Sequence, residues 1–211
     1  MGMSDHDSAW TQAARDIVRA GRRMDQRGWV PATAGNISRR LPDGRIAITR
    51  SGGHKGFLDE SDVIEVTPDG TPALTGTRAS AETLLHTQLY AHDPMIGAVV
   101  HGHSVASTVL SMMRRAPFLR LEGYEVLKVF EGQTTHETSV DVPLFDNDQD
   151  IARLAGVVAP HLGNMPAGYV IRGHGVYVWG KDMDTALARQ EGLEFLLSCE
   201  LAKAGVNEGK G

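Results

Sequence analysis

Apolar side chains at three- and four-residue steps open the chain. Trp10, Ala13, Ile17, Ala20 and Met24 fall on one face of a helix predicted over residues 8 to 27, with Gly28 as a natural stop. Beyond it the period shortens. The stretch Thr33-Ala-Gly-Asn-Ile-Ser38 leads through the turn Pro42-Asp-Gly44 into an alternating run, Arg45 to Thr49, which predicts a hairpin. Val63 to Val66 reads as a further strand closed by the turn Pro68-Asp-Gly70. At Ser80 the helical period returns, with Ser80 as N-cap, Thr83 in the first turn, and Leu84, Leu85, Leu89 and Tyr90 as the apolar stripe. The uninterrupted apolar run from Ile96 predicts a buried strand. Ser104 then caps a helix to about Met113 whose inward positions are predicted to be Val105, Val109 and Met112, with Met112 and Met113 as core filler. If Leu121 to Lys128 is helical, Glu122 and Glu125 are neighbours on it. Val140 to Leu144 predicts a short strand, and Asp148 opens a helix to about Leu162 carrying Ile151, Leu154 and Val158. Two β-rich runs flank Gly173-His174-Gly175. Asp182 caps a long helix to about Lys203 with Ala186, Gln190, Leu193, Leu196, Leu197 and Ala204 on one face, and the tail from Gly205 reads as disordered. Helices and strands alternate unevenly, with hairpins as well as crossovers, so the expected core is a mixed, mainly antiparallel sheet covered by helices.

Length and charge narrow the function. The 211 residues suit one domain, 1–211, with a full hydrophobic core, and nothing demands a boundary. With 21 Lys+Arg against 26 Asp+Glu the net charge is −5, and no basic block exceeds Arg22-Arg23 or Arg114-Arg115, which argues against nucleic acid or anionic membrane as partners. The N-terminus Met-Gly-Met-Ser-Asp-His-Asp lacks a basic and an apolar region, and no apolar run approaches the roughly 18 residues of a membrane span. A soluble, unexported, cytoplasmic chain is expected. The single cysteine, Cys199, forms no intramolecular disulfide, in keeping with a reducing compartment, and its apolar run Phe195 to Leu201 predicts a packed thiol.

Candidate chemistry gathers around His101-Gly-His103. Alternation along a strand projects both imidazoles from one face, which suits a metal, while Gly102 leaves the opposite face free for close backbone packing or for substrate. Two solvated histidines at a strand end are the plain alternative, because the pair needs a third ligand. His174, in a bend with no bulk on either side, has room for a ligand sphere. Asn36 after Gly35 either donates its amide to an anion or simply forms a turn. Thr49-Arg-Ser-Gly-Gly-His-Lys-Gly56 is rich in backbone and side-chain donors, with Ser51 and Lys55 suited to a phosphate, yet it lacks Walker spacing; a surface loop is the alternative. Glu82, in a first helical turn, is most simply a dipole-stabilising carboxylate. His86 and His92 have no partner at a telling spacing.

The order Gly-Asn-Ile-Ser, Ser-Gly-x-x-Lys-Gly, Ser-Ala-Glu, His-Gly-His and Gly-His-Gly, spread over residues 33 to 180, resembles the class II aldolase and adducin superfamily. Glu125-Val-Leu-Lys128 and Arg172-Gly-His-Gly-Val-Tyr-Val-Trp-Gly180 are similar to its dehydratase branch. The resemblance implies a three-layer α/β/α fold and a homotetramer with active sites near subunit interfaces. It also implies one Zn²⁺ per subunit held by His101, His103 and His174. Three neutral imidazoles leave zinc an open position for substrate oxygens, and iron or manganese suits the same ligands. By the same resemblance Glu125 is the catalytic acid/base, with Glu82 near the metal as a second candidate and Glu122 a bystander. A sugar-phosphate substrate would rest its phosphate on Asn36, Ser51, Gly52, Lys55 and Ser80. The implied reaction removes water from a 1-phospho-2-ketose, with Glu125 taking the C3 proton and protonating the departing C4 hydroxyl. An aldolase or a pentulose-phosphate 4-epimerase is the alternative enzyme; the Glu125 segment, and the lack of any tyrosine after Tyr177, argue for the dehydratase. A scaffold like the adducin head would share the fold without needing three histidines.

Overall fold

The computed structural model describes residues 5–208. Helix α1 (Asp5–Gln26) is followed by strands β1 (Asn36–Arg40), β2 (Ile46–Thr49) and β3 (Val63–Val66). Then come α2 (Thr83–His92), β4 (Ala98–Gly102), α3 (Val105–Met113), β5 (Phe118–Glu122), β6 (Ser139–Phe145) and α4 (Ile151–Val158). The chain ends with β7 (Tyr169–Ile171), β8 (Gly175–Gly180) and α5 (Met183–Glu208). The strands form one sheet in the order β3-β2-β1-β4-β8-β7-β6-β5. The β6–β7 pair is parallel and the other pairs are antiparallel, so the mixed, mainly antiparallel sheet is as expected. No helix among the described residues is long and apolar enough to cross a membrane.

Strand alternation divides the core into two. Val99 and Tyr177 pack with Leu85 and Leu89 of α2 and with Leu154 and Val158 of α4. Val100, Val176 and Val178 point the other way, onto Ala13 and Ile17 of α1, Leu110 of α3, and Leu193 and Leu196 of α5. Helices therefore cover both faces of the sheet, the three-layer arrangement. The same parity places His101 on the α2 side and Gly102 on the α5 side. A Cβ on Gly102 would lie 2.5 Å from Gln190 Nε2 and 3.1 Å from the Trp29 carbonyl oxygen, so of the two uses open to that face the glycine serves close packing.

Several expectations are corrected. Helix α3 turns Ala106, Ser107, Leu110 and Ser111 inward, whereas Val105 and Met112 are 75% and 71% exposed, and Val109 and Met113 are exposed too. Hydrogen bonding fixes this orientation. Arg172 donates to the carbonyls of Ser111, Arg114 and Ala116, and the Gly173 amide donates to Ser111 Oγ at 3.0 Å, so the small polar face docks. Glu122 ends strand β5 and Glu125 begins a separate 3₁₀ turn (Glu125–Val129), so the two are not neighbours on a helix. Helix α2 starts at Thr83 with Glu82 rather than Ser80 at the cap, and Leu84 is exposed. Helix α1 begins at Asp5, and α4 is capped by Asp150, whose carboxylate accepts from Arg153 N. Residues 205–208 continue α5, a long helix that tolerates the roughly 1 kcal/mol cost of Gly205; the rest of the tail, like Met1 to Ser4, lies outside the described residues. Cys199 is half-buried rather than packed, one turn beyond the exposed Phe195 on the outer side of α5.

Candidate metal centre

His101, the last residue but one of β4, lies between Asn36 on β1 and Tyr177 on β8, to which it is paired in register. Its ring stacks on that of Tyr177 with centroids 4.0 Å apart, and the residue is fully buried. His101 Nδ1 donates to the Val176 carbonyl at 2.8 Å, which leaves Nε2 with its lone pair facing away from the sheet backbone. Just past the strand end, the His103 amide donates to the Trp29 carbonyl at 2.6 Å and so fixes the chain as it leaves β4. His174 sits in the β7–β8 bend, with Nδ1 3.3 Å from Asn147 Oδ1. That bend is tied to α3 by the Arg172 and Gly173 contacts already described. One ligating nitrogen from each histidine lies within 4.8 Å of the others, and the three could hold a metal ion.

Glycine brings the neighbouring strand in. Gly35 has φ +78°, and a Cβ there would lie 2.6 Å from the His101 carbonyl oxygen, so no other residue lets Asn36 enter β1 beside His101 without strain. Asn36 Nδ2 donates to Glu82 Oε2 at 2.7 Å and to Ser80 Oγ at 3.1 Å. Glu82 Oε1 lies 2.8 Å from His174 Nε2, and its Oε2 lies 3.4 Å from His101 Nε2. The carboxylate at the start of α2 therefore does more than stabilise a helix dipole; it makes no cap hydrogen bond and instead bridges two of the three histidines.

Electrostatics follow from burial. Dehydration holds His101 well below the ordinary imidazole range and lowers His103 to about 4, with His174 adding repulsion, so both keep the lone pairs that a cation requires. Burial opposes the charge on Glu82, but the hydrogen bonds from His174 and Asn36 act against it and the carboxyl stays below its usual range. Three converging imidazoles and one ionised carboxylate make a donor set that fits a divalent cation.

The predicted phosphate residues divide. Ser80 Oγ accepts from Asn36 and from Glu82 N, at 3.1 and 3.3 Å, which leaves its own hydrogen free to donate outward. Lys55 is 2% exposed rather than extended into solvent, and its Nζ donates to the Thr33 and Gly53 carbonyls at 2.8 and 2.6 Å. Burial lowers its pKa to about 8, opposed by the attraction of Glu82. Ser51 is half-buried, with its amide bound to the Arg78 carbonyl, and Gly52 is exposed beside it.

Glu125 stands apart from the histidines. Its side chain is 68% exposed, Lys128 Nζ donates to it at 2.5 Å, and His136 Nδ1 lies 3.7 Å away. The Lys128 hydrogen bond holds its carboxyl below the ordinary value. Among the described residues it makes no hydrogen bond to His101, His103 or His174.

Sequence reasoning overlooked the supports of this site. His86 is fully buried and bonded to Asn36 and Ser38, and Arg172, Ser111 and Asn147 hold the His174 bend. A signal existed for the first group: Glu82 and His86 are four apart on a helix, and Asn36 and Ser38 are two apart on a strand, so each pair shares a face.

The sequence model of the class II aldolase and adducin N-terminal domain matches residues 15–201. The chain belongs to the class II aldolase family. Within that family it is 76% identical over 197 residues to the methylthioribulose-1-phosphate dehydratase of Gluconobacter oxydans, covering 93% of this chain and 95% of that protein. It is 53% identical over 192 residues to the enzyme of the same name from Pseudomonas aeruginosa, covering 90% and 94%. Among solved structures, YgbL of Escherichia coli superposes with a TM-score of 0.78 at 28% identity over 91% of this chain and 89% of that one. The fold is also that of L-fuculose-1-phosphate aldolase from Thermus thermophilus, with a TM-score of 0.76 at 24% identity over 96% of this chain and 100% of that one.

Proposed function

We propose that this protein removes water from 5-methylthioribulose 1-phosphate to give 2,3-diketo-5-methylthiopentyl 1-phosphate, a step of methionine salvage. The observation that carries the assignment is 76% identity over 93% of the chain to a methylthioribulose-1-phosphate dehydratase. The convergence of His101, His103 and His174 supplies a chemical basis for it. The reaction takes a proton from C3, expels the C4 hydroxyl as water, and lets the resulting enol ketonise to the 2,3-diketone.

In this reading His101, His103 and His174 hold one Zn²⁺. Zinc supplies Lewis acidity at the C2 carbonyl, which acidifies the C3 proton. The residues of the chain do the rest. The Ser80 hydroxyl, with its free hydrogen, and the Lys55 ammonium, with Ser51 and Gly52 in the same loop, bind the phosphate and orient the carbon chain. Asn36 belongs to the same cluster. Glu125 takes the C3 proton and returns it to the departing hydroxyl, and a position between C3 and C4 allows one carboxyl both tasks. An exposed Glu125 suits a homotetramer whose active sites lie near subunit interfaces. A cytoplasmic location fits the lone cysteine.

One observation favours a second assignment of the acid/base: Glu82 already contacts two of the histidines. Comparing Glu125→Gln with Glu82→Gln separates the two. The test of the overall function is incubation of zinc-loaded protein with methylthioribulose 1-phosphate, followed by mass spectrometry. Loss of one water supports dehydration, and a pair of products from carbon–carbon cleavage assigns the protein to the aldolases.

A further inference from the structure

A hydrogen-bonded chain runs from the second layer of the fold to the candidate site. Tyr90 OH is 2.8 Å from Ser38 Oγ, which is 2.7 Å from His86 Nδ1, and His86 Nε2 is 2.5 Å from Asn36 Oδ1. Asn36 Nδ2 completes it by donating to Glu82 Oε2 at 2.7 Å. Ser38, His86 and Tyr90 lie between β1 and α2, shut off from water.

The direction of each proton can be worked out from the site end. The Glu82 carboxylate has only lone pairs to offer, so the Asn36 NH₂ must face it. Asn36 Oδ1 therefore faces His86, and His86 Nε2 must carry a hydrogen. Burial keeps the ring neutral, with a pKa lowered to about 4, so Nδ1 bears a lone pair. Ser38 must then donate to Nδ1 and accept from Tyr90 OH. Every donor has one acceptor and the order cannot be reversed piecemeal. With His86 in the other tautomer, Asn36 would turn its oxygen toward Glu82 and set two acceptors 2.7 Å apart.

We propose that His86 is a positioning residue of the active site: through the Nε2–H tautomer it locks the Asn36 amide, and Asn36 in turn holds the Glu82 carboxylate against His101 and His174. The inference rests on the proposed dehydratase function only where turnover is concerned. It also changes the task of Asn36. Its two amide hydrogens are engaged by Glu82 and Ser80, so it orients the carboxylate and the Ser80 hydroxyl and touches the phosphate through Ser80 alone.

Two measurements on the full-length protein test this. Long-range ¹H–¹⁵N NMR of the zinc-loaded wild type should show His86 protonated at Nε2 and unprotonated at Nδ1. An Nδ1–H tautomer or an imidazolium overturns the proposal, whatever the substrate proves to be, and no variant has to fold for this result. In turnover assays His86→Leu should lower kcat by about tenfold or more with bound zinc and KM close to wild type, the scale usual for residues that orient a metal site from behind. His86→Gln, whose amide can still donate to Asn36 Oδ1, should recover most of that loss. Unchanged kcat in His86→Leu, or equal losses in both variants, overturns it. A wild-type protein inactive on methylthioribulose 1-phosphate refutes the dehydratase assignment and leaves the tautomer result standing by itself.

Discussion

Glu194 lies on α5 at 2% exposure, and among the described residues neither of its carboxyl oxygens has a hydrogen-bond partner of good geometry. Burial pushes its pKa from 4.5 up to about 7, and the Ser104 hydroxyl, already engaged with Ser107, offsets this only in part. Glu194→Gln replaces an ionisable group by a neutral one of the same shape. Below about pH 4.5 the folded and unfolded wild type both hold the proton. Between 4.5 and about 7 the unfolded chain releases it while the folded protein retains it, so wild-type stability falls as pH rises through that window. Above about 7 the loss is complete. At 1.36 kcal/mol per pKa unit this amounts to about 3 kcal/mol, and the glutamine variant should be free of it. Urea unfolding of both proteins at one fixed concentration, from about pH 5 to pH 8.5, reads the difference directly. The stability advantage of Glu194→Gln should grow with pH by up to about 3 kcal/mol and then level off. A difference that stays flat, or shrinks as pH rises, would show that Glu194 is not held protonated by burial.

His103→Ala should abolish both stoichiometric zinc, measured by elemental analysis, and turnover, because a three-histidine site loses a ligand. Glu125→Gln should keep its zinc and lose on the order of 10²-fold or more in kcat; normal turnover would move the acid/base role to Glu82. Gly35→Ala should cost roughly 1–3 kcal/mol in thermal or urea unfolding, since it combines a positive φ with a Cβ 2.6 Å from the His101 carbonyl, and should also weaken zinc binding.

The sheet and its helices were legible because each rests on a short-range period. The three- and four-residue steps of α1 and the alternation of β2 are properties of contiguous residues, and both elements form, with α1 starting at Asp5 rather than residue 8. Helix α3 was legible as a helix, and its Ser104 cap was found, but its buried face was not. Val105, Val109 and Met112 are the more apolar set, yet Ser111 faces inward, where the Gly173 amide, 62 residues away, donates to its hydroxyl. A hydrogen bond of that span leaves no trace in local hydrophobicity. Lys55 is a similar case: in its glycine-rich loop it reads as a phosphate ligand or as part of a surface loop, and only the fold shows that the carbonyls of Thr33 and Gly53 converge on it.

By itself the sequence determined the chemistry available at the centre. Alternation along β4 sets His101 on one side and Gly102 on the other, His103 follows directly beyond the strand, and the glycine-flanked bend frees His174, whatever the strands later pair with. Tertiary structure decided which carboxylate meets those histidines. Glu82 and Glu125 are equally acidic as letters, but the β1–β4 register seats Asn36 beside His101, and Asn36 draws Glu82 in across 46 positions. Glu125 remains on an exposed turn with Lys128. The physical reason is that side-chain direction is fixed by the nearest few residues, whereas the company a side chain keeps depends on strand register and on hydrogen bonds between residues far apart in the chain.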